Sequence, residues 1–265
     1  MRAAIVADLH DAAVTVAGLP GEPGCTAALP GETPAAFVAR QAALHDAVWV
    51  TAPETGGLLH SLCNAVPPAR WIGCDAEAIA QASSKHRTQA VLAAAGVPVP
   101  RPGLDAAGRW VCKPDDGAGS VATQVLPGPP AVLPPGHHAE PWVEGEAMSL
   151  SLQVTAARGT VLLSVNRLQV RVATDGTVLC DWPQPAVWRA GDARWPVLQR
   201  LAAQVAAAMP GLRGFVGIDF VWHPVAGPVV IEVNPRATSA LVGLSAALGR
   251  PVAREIVQGW ADDPH

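Results

Sequence analysis

Apolar and polar residues recur along this chain with two distinct periods. In GFVGIDFVWHPVAGPVVIEVNPR, residues 214–236, the period is that of strands on either side of a turn at Pro224–Gly227. One face of the expected hairpin carries Val216, Ile218, Phe220 and Trp222 against Val229, Ile231 and Val233, a core. The other face sets Asp219 opposite Glu232, with Asn234 returning to it two residues later. Just upstream, DARWPVLQRLAAQVAAAM (192–209) changes to a helical period, with Leu198, Leu201, Val205 and Ala208 on one side. A second helix, capped by Ser83 or Ser84, runs to Ala95 and is ended by Gly96 ahead of Pro98 and Pro100. RWVCKP, VATQVL, HAEPWV, MSLSLQV, TVLLSVNRLQV and TVLCDW read as strands, and LPGPPAVLPPG as a surface linker. Helices from about Thr238 and over 250–260 follow the hairpin.

Residues 1–82 alternate in larger units. AAIV, DAVWVTA (46–52) and RWIGC (70–74) read as strands; helices are expected over 34–45, after Pro53, and over 75–82. Strand–helix alternation favours an α/β unit with parallel pairing. GLPGEPGCTAALPGETP is a Gly/Pro-rich loop, and the chain has no internal repeats.

Composition narrows the class. Half of the 265 residues are hydrophobic, and a formal charge of -4 with pI near 6.0 argues against nucleic acid or a membrane surface as partner. No stretch approaches the ~18 apolar residues of a transmembrane helix. The N-terminal apolar run is interrupted by Asp8, so it reads as a first strand and not as a signal peptide. Five cysteines without a C-x-x-C pair point to a reduced, cytoplasmic compartment and away from zinc. Of 18 basic residues only Lys85 and Lys113 are lysines. Where Arg is the default cation, a retained Lys suggests a position the planar fork would not fit.

Candidate chemistry falls on the same segments. Opposed carboxylates repel unless a cation lies between them, and Asp219, Glu232 and the amide of Asn234 offer the hard oxygens that suit Mg²⁺. A hairpin whose outer face is merely polar is the competing reading. KPDDGAGS (113–120) follows a strand; Gly117 and Gly119 let backbone N–H groups converge on an anion, Ser120 adds a hydroxyl, and Lys113 an ammonium. An ordinary Asp/Gly turn has the same composition. HAEPWVEGE (138–146) suits an adenine hinge, with Glu140 and Glu146 flanking and Trp142 and Val143 as apolar walls; a plain strand with exposed acids is the alternative.

Taken in order, these pieces resemble the ATP-grasp superfamily over roughly residues 46–260: Lys85 with GVPVP, then KPDDGAGS, EPWVEG, IDF and EVNPR. The resemblance implies an ATP-grasp fold, α+β in its ATP-binding part, behind a short N-terminal α/β domain. The implied boundaries are 1–82, 83–142 (small subdomain with the glycine loop) and 143–265 (metal site). It implies ATP and Mg²⁺, or Mn²⁺ in its place, as cofactors. By the same resemblance Lys85 and Lys113 hold the nucleotide phosphates, and Glu140 and Val143 meet adenine through the backbone. Asp219, Glu232 and Asn234 hold the metal, and Arg236 steadies the phosphoryl group or a substrate carboxylate. The family's ribose acid falls on Ala147, leaving Glu146 as substitute. Arg167, beside Asn166, occupies a strand where relatives carry a substrate- or phosphate-binding base; a solvent-facing Arg is the alternative.

The activity so implied is ADP-forming ligation of a small carboxylate to an amine through an acyl-phosphate. WVTAPETGGLLHSL, the compact length and EVNPR are most similar to tyramine–glutamate ligases of methanofuran-type cofactor biosynthesis. Glu54 and Thr55, at the carboxyl end of DAVWVTA, are then the substrate candidates: a helix start there would present N–H groups to an anion, and Glu54 would receive an ammonium. Glu54 complementing a helix dipole is the alternative. Other ATP-grasp chemistry, such as phosphotransfer, and a catalytically silent nucleotide-binding protein are competing readings; a homodimer is compatible with each. The glycine loop and the Pro-rich linker are candidate lids.

Overall fold

The computed structural model describes residues 1–10, 12–18, 22–181, 183–188 and 190–263. Residues 19–21 of the Gly/Pro-rich loop and Trp182 of TVLCDW lie outside the described residues. The N-terminal segment departs from expectation at its first element. Residues 3–6, read as a strand, belong to helix α1 (Arg2–Asp8). Alanine is the strongest helix former, and one buried apolar residue, Ile5, suffices to seat the helix in a core shared with Phe215 and Ile256. Asp8, which seemed only to interrupt an apolar run, accepts the Ala253 N–H at 2.8 Å and so ties α1 to the C-terminal helix.

The expected strands at 46–52 and 70–74 meet only as a single parallel bridge, Val48 to Trp71. Helix α2 (Pro34–Ala42) starts at its proline behind a Thr33 cap. The helix expected at Pro53 begins later: Gly56 and Gly57 both take left-handed φ (65° and 70°), so a 3-10 turn at Thr55–Gly57 precedes α3 (Leu58–Asn64). Asp75 caps α4 (Ala76–Ala82), and Ser84, of the two candidate serines, caps α5 (Lys85–Ala94) by accepting the Arg87 N–H.

Among the described residues the strands form three antiparallel sheets. The first has β1 (Trp110–Pro114) between β2 (Gln124–Leu126) and β3 (His137–Pro141). β4 (Glu146–Thr155) and β5 (Gly159–Arg167) open the large sheet, β6 (Val170–Val172) and β7 (Val178–Cys180) form a separate hairpin, and β8 (Gln184–Trp188) lies on the large sheet's edge. β8 was not expected. Proline at 185 hides it, because proline is compatible with an edge strand but not with a central one. After helix α6 (Trp195–Ala208), β9 (Gly214–His223) and β10 (Gly227–Asn234) complete the order β10-β9-β4-β5-β8. Helices α7 (Leu244–Leu248) and α8 (Val252–Ala261) follow the hairpin.

Met148, Leu150, Leu152 and Val154 of β4 point to one side and pack with Leu198, Leu201 and Val205 of α6. The alternate residues Ser149 and Ser151 point away, and Asn166 of β5 donates to both hydroxyls at 3.2 and 3.0 Å while accepting the Ala186 N–H of β8. A wholly buried asparagine thus joins three strands, as satisfied buried polar groups do.

The hairpin contains the main departure in register. His223 pairs with Gly227 and Phe220 with Val230, but a bulge between Val230 and Glu232 then restores the Asp219–Glu232 pairing expected from sequence. Val216, Ile218 and Phe220 are core residues as expected, with Val230 and Val233 across from them. Val229 and Ile231, expected in that core, pack instead with Val143 and Leu104 on the opposite face. A bulge places two residues opposite one and re-aims the side chains beyond it.

Gly145, where the chain turns from β3 into β4, has φ +147° and lies against Trp222; a Cβ there would collide with its carbonyl oxygen and sit 2.8 Å from its carbonyl carbon. Gly145→Ala is therefore expected to cost on the order of 1–3 kcal/mol, the range for overpacking. A thermal melt unchanged from wild type would contradict this close approach.

Candidate active site

Between the small sheet and the large one lies a cavity of about 430 Å³. Val111, Val143, Val221 and Ile231 give it apolar walls, while Lys85, Lys113, Asp219 and Glu232 carry charge into it. An apolar cleft with a few convergent polar groups is the usual form of a small-molecule site. β3 is the outer strand of its sheet and runs along this cavity, so one side of its backbone is free to face a ligand.

Both lysines are buried here. Lys113, at the end of β1, meets Glu140 Oε1 at 2.7 Å. Lys85, the first residue of α5, meets Glu232 Oε1 at 3.2 Å and donates to the Gly117 carbonyl. That second contact revises the expectation for the glycine loop. Gly117 turns its carbonyl to Lys85 and its N–H back to Pro114, so it does not offer an N–H to an anion. Ser120 lines the cavity with a left-handed φ of 60°, whereas Gly119 is exposed and outside the lining.

Asp219 and Glu232 face each other through the bulged register, and Asn234 Nδ2 donates to Asp219 Oδ2 at 3.3 Å. Burial and the facing Glu232 charge push the Asp219 carboxyl up to about 7, against the pull of Asn234, Arg236 and Lys113. A cation between the two carboxylates would relieve the repulsion. Among the described residues no three His, Cys, Asp or Glu side chains are arranged to hold a metal. The two facing carboxylates and the Asn234 amide are hard oxygen donors of the kind a divalent ion takes when it fills its remaining positions from ligand oxygens and water. Asn234 directs its amide oxygen to Arg236 at 3.4 Å, so the amide must rotate to serve such an ion.

Asp219 is raised above the ~3.9 of an unfolded aspartate, so in the metal-free protein its contribution to stability is fully present below about pH 4 and is lost as pH rises through about 7. Mg²⁺ requires the ionised form. The Mg²⁺-induced rise in melting temperature should accordingly be larger at pH 8 than at pH 6, measured against EDTA controls. An equal rise at both would exclude Asp219 as a ligand.

The hinge expectations divide. Val143 is buried and lines the cavity, as does Trp142, whose N–H is already given to the Arg109 carbonyl at 2.9 Å. The Glu140 side chain is committed to Lys113 and His138, and its backbone is paired with Val111 of β1 in the same alternation that gives the Trp142 N–H to Arg109. Glu146 does not enter: Ala147 lines the cavity, while Glu146 pairs with Arg194 at 3.4 Å beside Trp188 and Trp222. Strand alternation puts neighbours on opposite faces, so Ala147 and Glu146 cannot share the site. Arg167 is exposed at the end of β5 and also outside the lining.

Beyond Asn234, Arg236 Nε donates to Glu54 Oε2 at 2.9 Å, joining residues 182 apart in sequence. Glu54 is buried, and its Oε1 has no hydrogen-bond partner. Thr55 is exposed. The anion site expected at a helix start is not formed, since α3 begins only at Leu58 and the Gly56 N–H donates to Asp116 of the glycine loop at 3.0 Å.

Sequence reasoning missed three contributors. Gln89 donates to Glu140 Oε2, and its spacing of four from Lys85 was a readable signal. His138 lies opposite Lys113 in the β1–β3 register. Val170, Val172, Val178 and Cys180 of the β6–β7 hairpin line the cavity, which residues 127–136 of the Pro-rich linker do not. The Asp175-Gly176 pair marks that hairpin, but nothing local says what it covers. All cysteines are free thiols, and no helix among the described residues is long and apolar enough to cross a membrane.

Residues 82–240 match the ATP-grasp domain family, and residues 7–79 the pre ATP-grasp 3 domain. The crystal structure of an ATP-grasp superfamily protein from Archaeoglobus fulgidus is 27% identical, with TM-score 0.66 over 83% of this chain and 67% of that one. Biotin carboxylase from Campylobacter jejuni shares the fold at 14% identity, with TM-score 0.67 over 91% of this chain and 61% of its own. L-amino acid ligase from Bacillus licheniformis does so at 15% identity, with TM-score 0.65 over 94% and 66%. The chain thus spans 61–67% of the length of these structures. Among curated proteins none matches it.

Proposed function

This chain belongs to the ATP-grasp family, and on that basis we propose that it is an ATP- and Mg²⁺-dependent ligase joining a carboxylate to an amine through an acyl-phosphate. The observation that carries the reading is the convergence, in one cavity, of two buried ammonium groups with two opposed carboxylates. A carboxylate is a poor acyl donor because oxide leaves badly. Phosphorylation of one oxygen supplies a good leaving group: the amine nitrogen attacks the acyl carbon, the carbon–oxygen bond to phosphate breaks, and the nitrogen loses its proton. Such chemistry needs positioning and charge neutralisation more than covalent help from the protein.

In this reading Lys85 and Lys113 orient the phosphate oxygens, and Val111, Val143, Val221 and Ile231 clasp the purine. Asp219, Glu232 and, after rotation, Asn234 would hold Mg²⁺, which when bound neutralises charge across the transferring phosphoryl group. The glycine loop and the β6–β7 hairpin exclude water, which would hydrolyse an acyl-phosphate. The products are ADP and phosphate; pyrophosphate released with the true substrates would contradict the mechanism.

Glutamate as acid and a tyramine-like primary amine as acceptor are the substrates we propose. Support comes from Glu54 and Arg236, which pair beside Asn234 while one Glu54 oxygen keeps no partner. An amino acid brings both charges such a pair can recognise, its ammonium to Glu54 Oε1 and a carboxylate to Arg236. The test is ADP formation from ATP with glutamate plus tyramine, against each alone, in wild type and Glu54→Gln. Turnover is expected only with both substrates and to fall in the variant. Full turnover in Glu54→Gln would remove its role, and no turnover with any acid–amine pair would favour a different nucleophile.

A further inference from the structure

A lysine ammonium sits on a flexible stem with no direction of its own, and here Glu140 supplies the direction. We propose that Gln89 and His138 are positioning residues that orient Lys113 through Glu140, so that helix α5 sets the place of both ammonium groups in the cavity. The inference rests on reading that cavity as a nucleotide site.

Glu140 is only 3% exposed, yet its carboxylate is fully engaged. Oε1 meets Lys113 Nζ at 2.7 Å; Oε2 meets His138 Nε2 at 3.1 Å and accepts from the Gln89 amide. Burial pushes this carboxyl up, but Lys113 and His138 outweigh it and hold Glu140 below the ordinary range. An ionised carboxylate only accepts, so His138 Nε2 must be the donor. His138 faces Lys113 across the β1–β3 register, has the His86 ring 6.0 Å away, and acts on the nearby Asp115 carboxylate. With Oε2 held by donors from a strand and a helix, Oε1 is left for Lys113 alone.

Gln89 lies one helical turn beyond Lys85, so both project from the same side of α5. Lys85 reaches Glu232 and the Gly117 carbonyl directly, and Gln89 reaches Lys113 at one remove. Removing the donors to Oε2 would leave a buried, unpaired oxygen, and the carboxylate would turn or protonate and release Lys113. The apolar walls formed by Val143, Val221 and Ile231 would be untouched.

The test is calorimetric binding of ADP and of adenosine, with Mg²⁺, to the full chain as wild type, Gln89→Leu, His138→Phe and His138→Gln. Loss of one buried donor should weaken ADP by about tenfold in Gln89→Leu and in His138→Phe, and adenosine by no more than about twofold. His138→Gln, whose amide N–H can stand where Nε2 stood, should recover most of the ADP affinity. Gln89 is only half-buried, so Gln89→Leu keeps the test available if His138→Phe folds poorly. Equal losses for ADP and adenosine, or no loss of ADP affinity in Gln89→Leu, would overturn the inference alone. A wild-type protein that binds no ADP would overturn it together with the nucleotide-site reading.

Discussion

Replacing Glu232 by alanine is expected to abolish Mg²⁺-dependent turnover while the protein remains folded. Glu232 sits opposite Asp219 in the hairpin and is the second cause, after burial, of the raised Asp219 carboxyl. Removing it relieves a repulsion in the metal-free protein. Lys85 loses an ion pair, though it keeps the Gly117 carbonyl. The two effects oppose each other, so the melting temperature in EDTA should move little. The Mg²⁺-induced stabilisation should vanish, because one carboxylate and an amide are a poor site for a cation that gives up its water reluctantly. ADP formation and melting curves with and without Mg²⁺ separate these outcomes. Retained Mg²⁺ stabilisation in Glu232→Ala would show that the opposed carboxylates are not the metal site.

Lys113→Ala should lower the turnover rate by about two orders of magnitude, the scale for deleting one well-placed charge-stabilising donor. Lys113→Arg is not expected to rescue it. Lys113 is 5% exposed, its ammonium beside a buried carboxylate that also receives His138 and Gln89. A planar guanidinium would have to pair side-on with Glu140, and Oε2 of that carboxylate is already taken. Single-turnover rates at saturating ATP would read the effect without confusion from weaker binding. Near-normal turnover in Lys113→Arg would mean that charge alone matters at this position, and that the retention of lysine in an arginine-rich chain carries no message.

Several features of this protein were determined by its sequence alone. The helical period of 192–209, the strand period of 214–223, a helix capped by Ser83 or Ser84 and the strand carrying Lys113 are local patterns, and local patterns survive folding because they concern neighbours along the chain. The Asp219–Glu232 pairing follows in sequence from a symmetric turn, but the turn pairs His223 with Gly227, one residue off that register, and only the bulge beyond Val230 restores it. What tertiary structure decided is of another kind. The bulge that turns Val229 and Ile231 from the core into the cavity side, the docking of residues 2–8 as a helix, and the exclusion of Glu146 and Arg167 all depend on what lies across from them. The Glu54–Arg236 pair joins residues 182 apart in the chain, and the cluster on Glu140 draws on β1, β3 and α5. Buried polar groups take the partners that packing brings within reach, and those partners are far apart in the chain, so no local period records them.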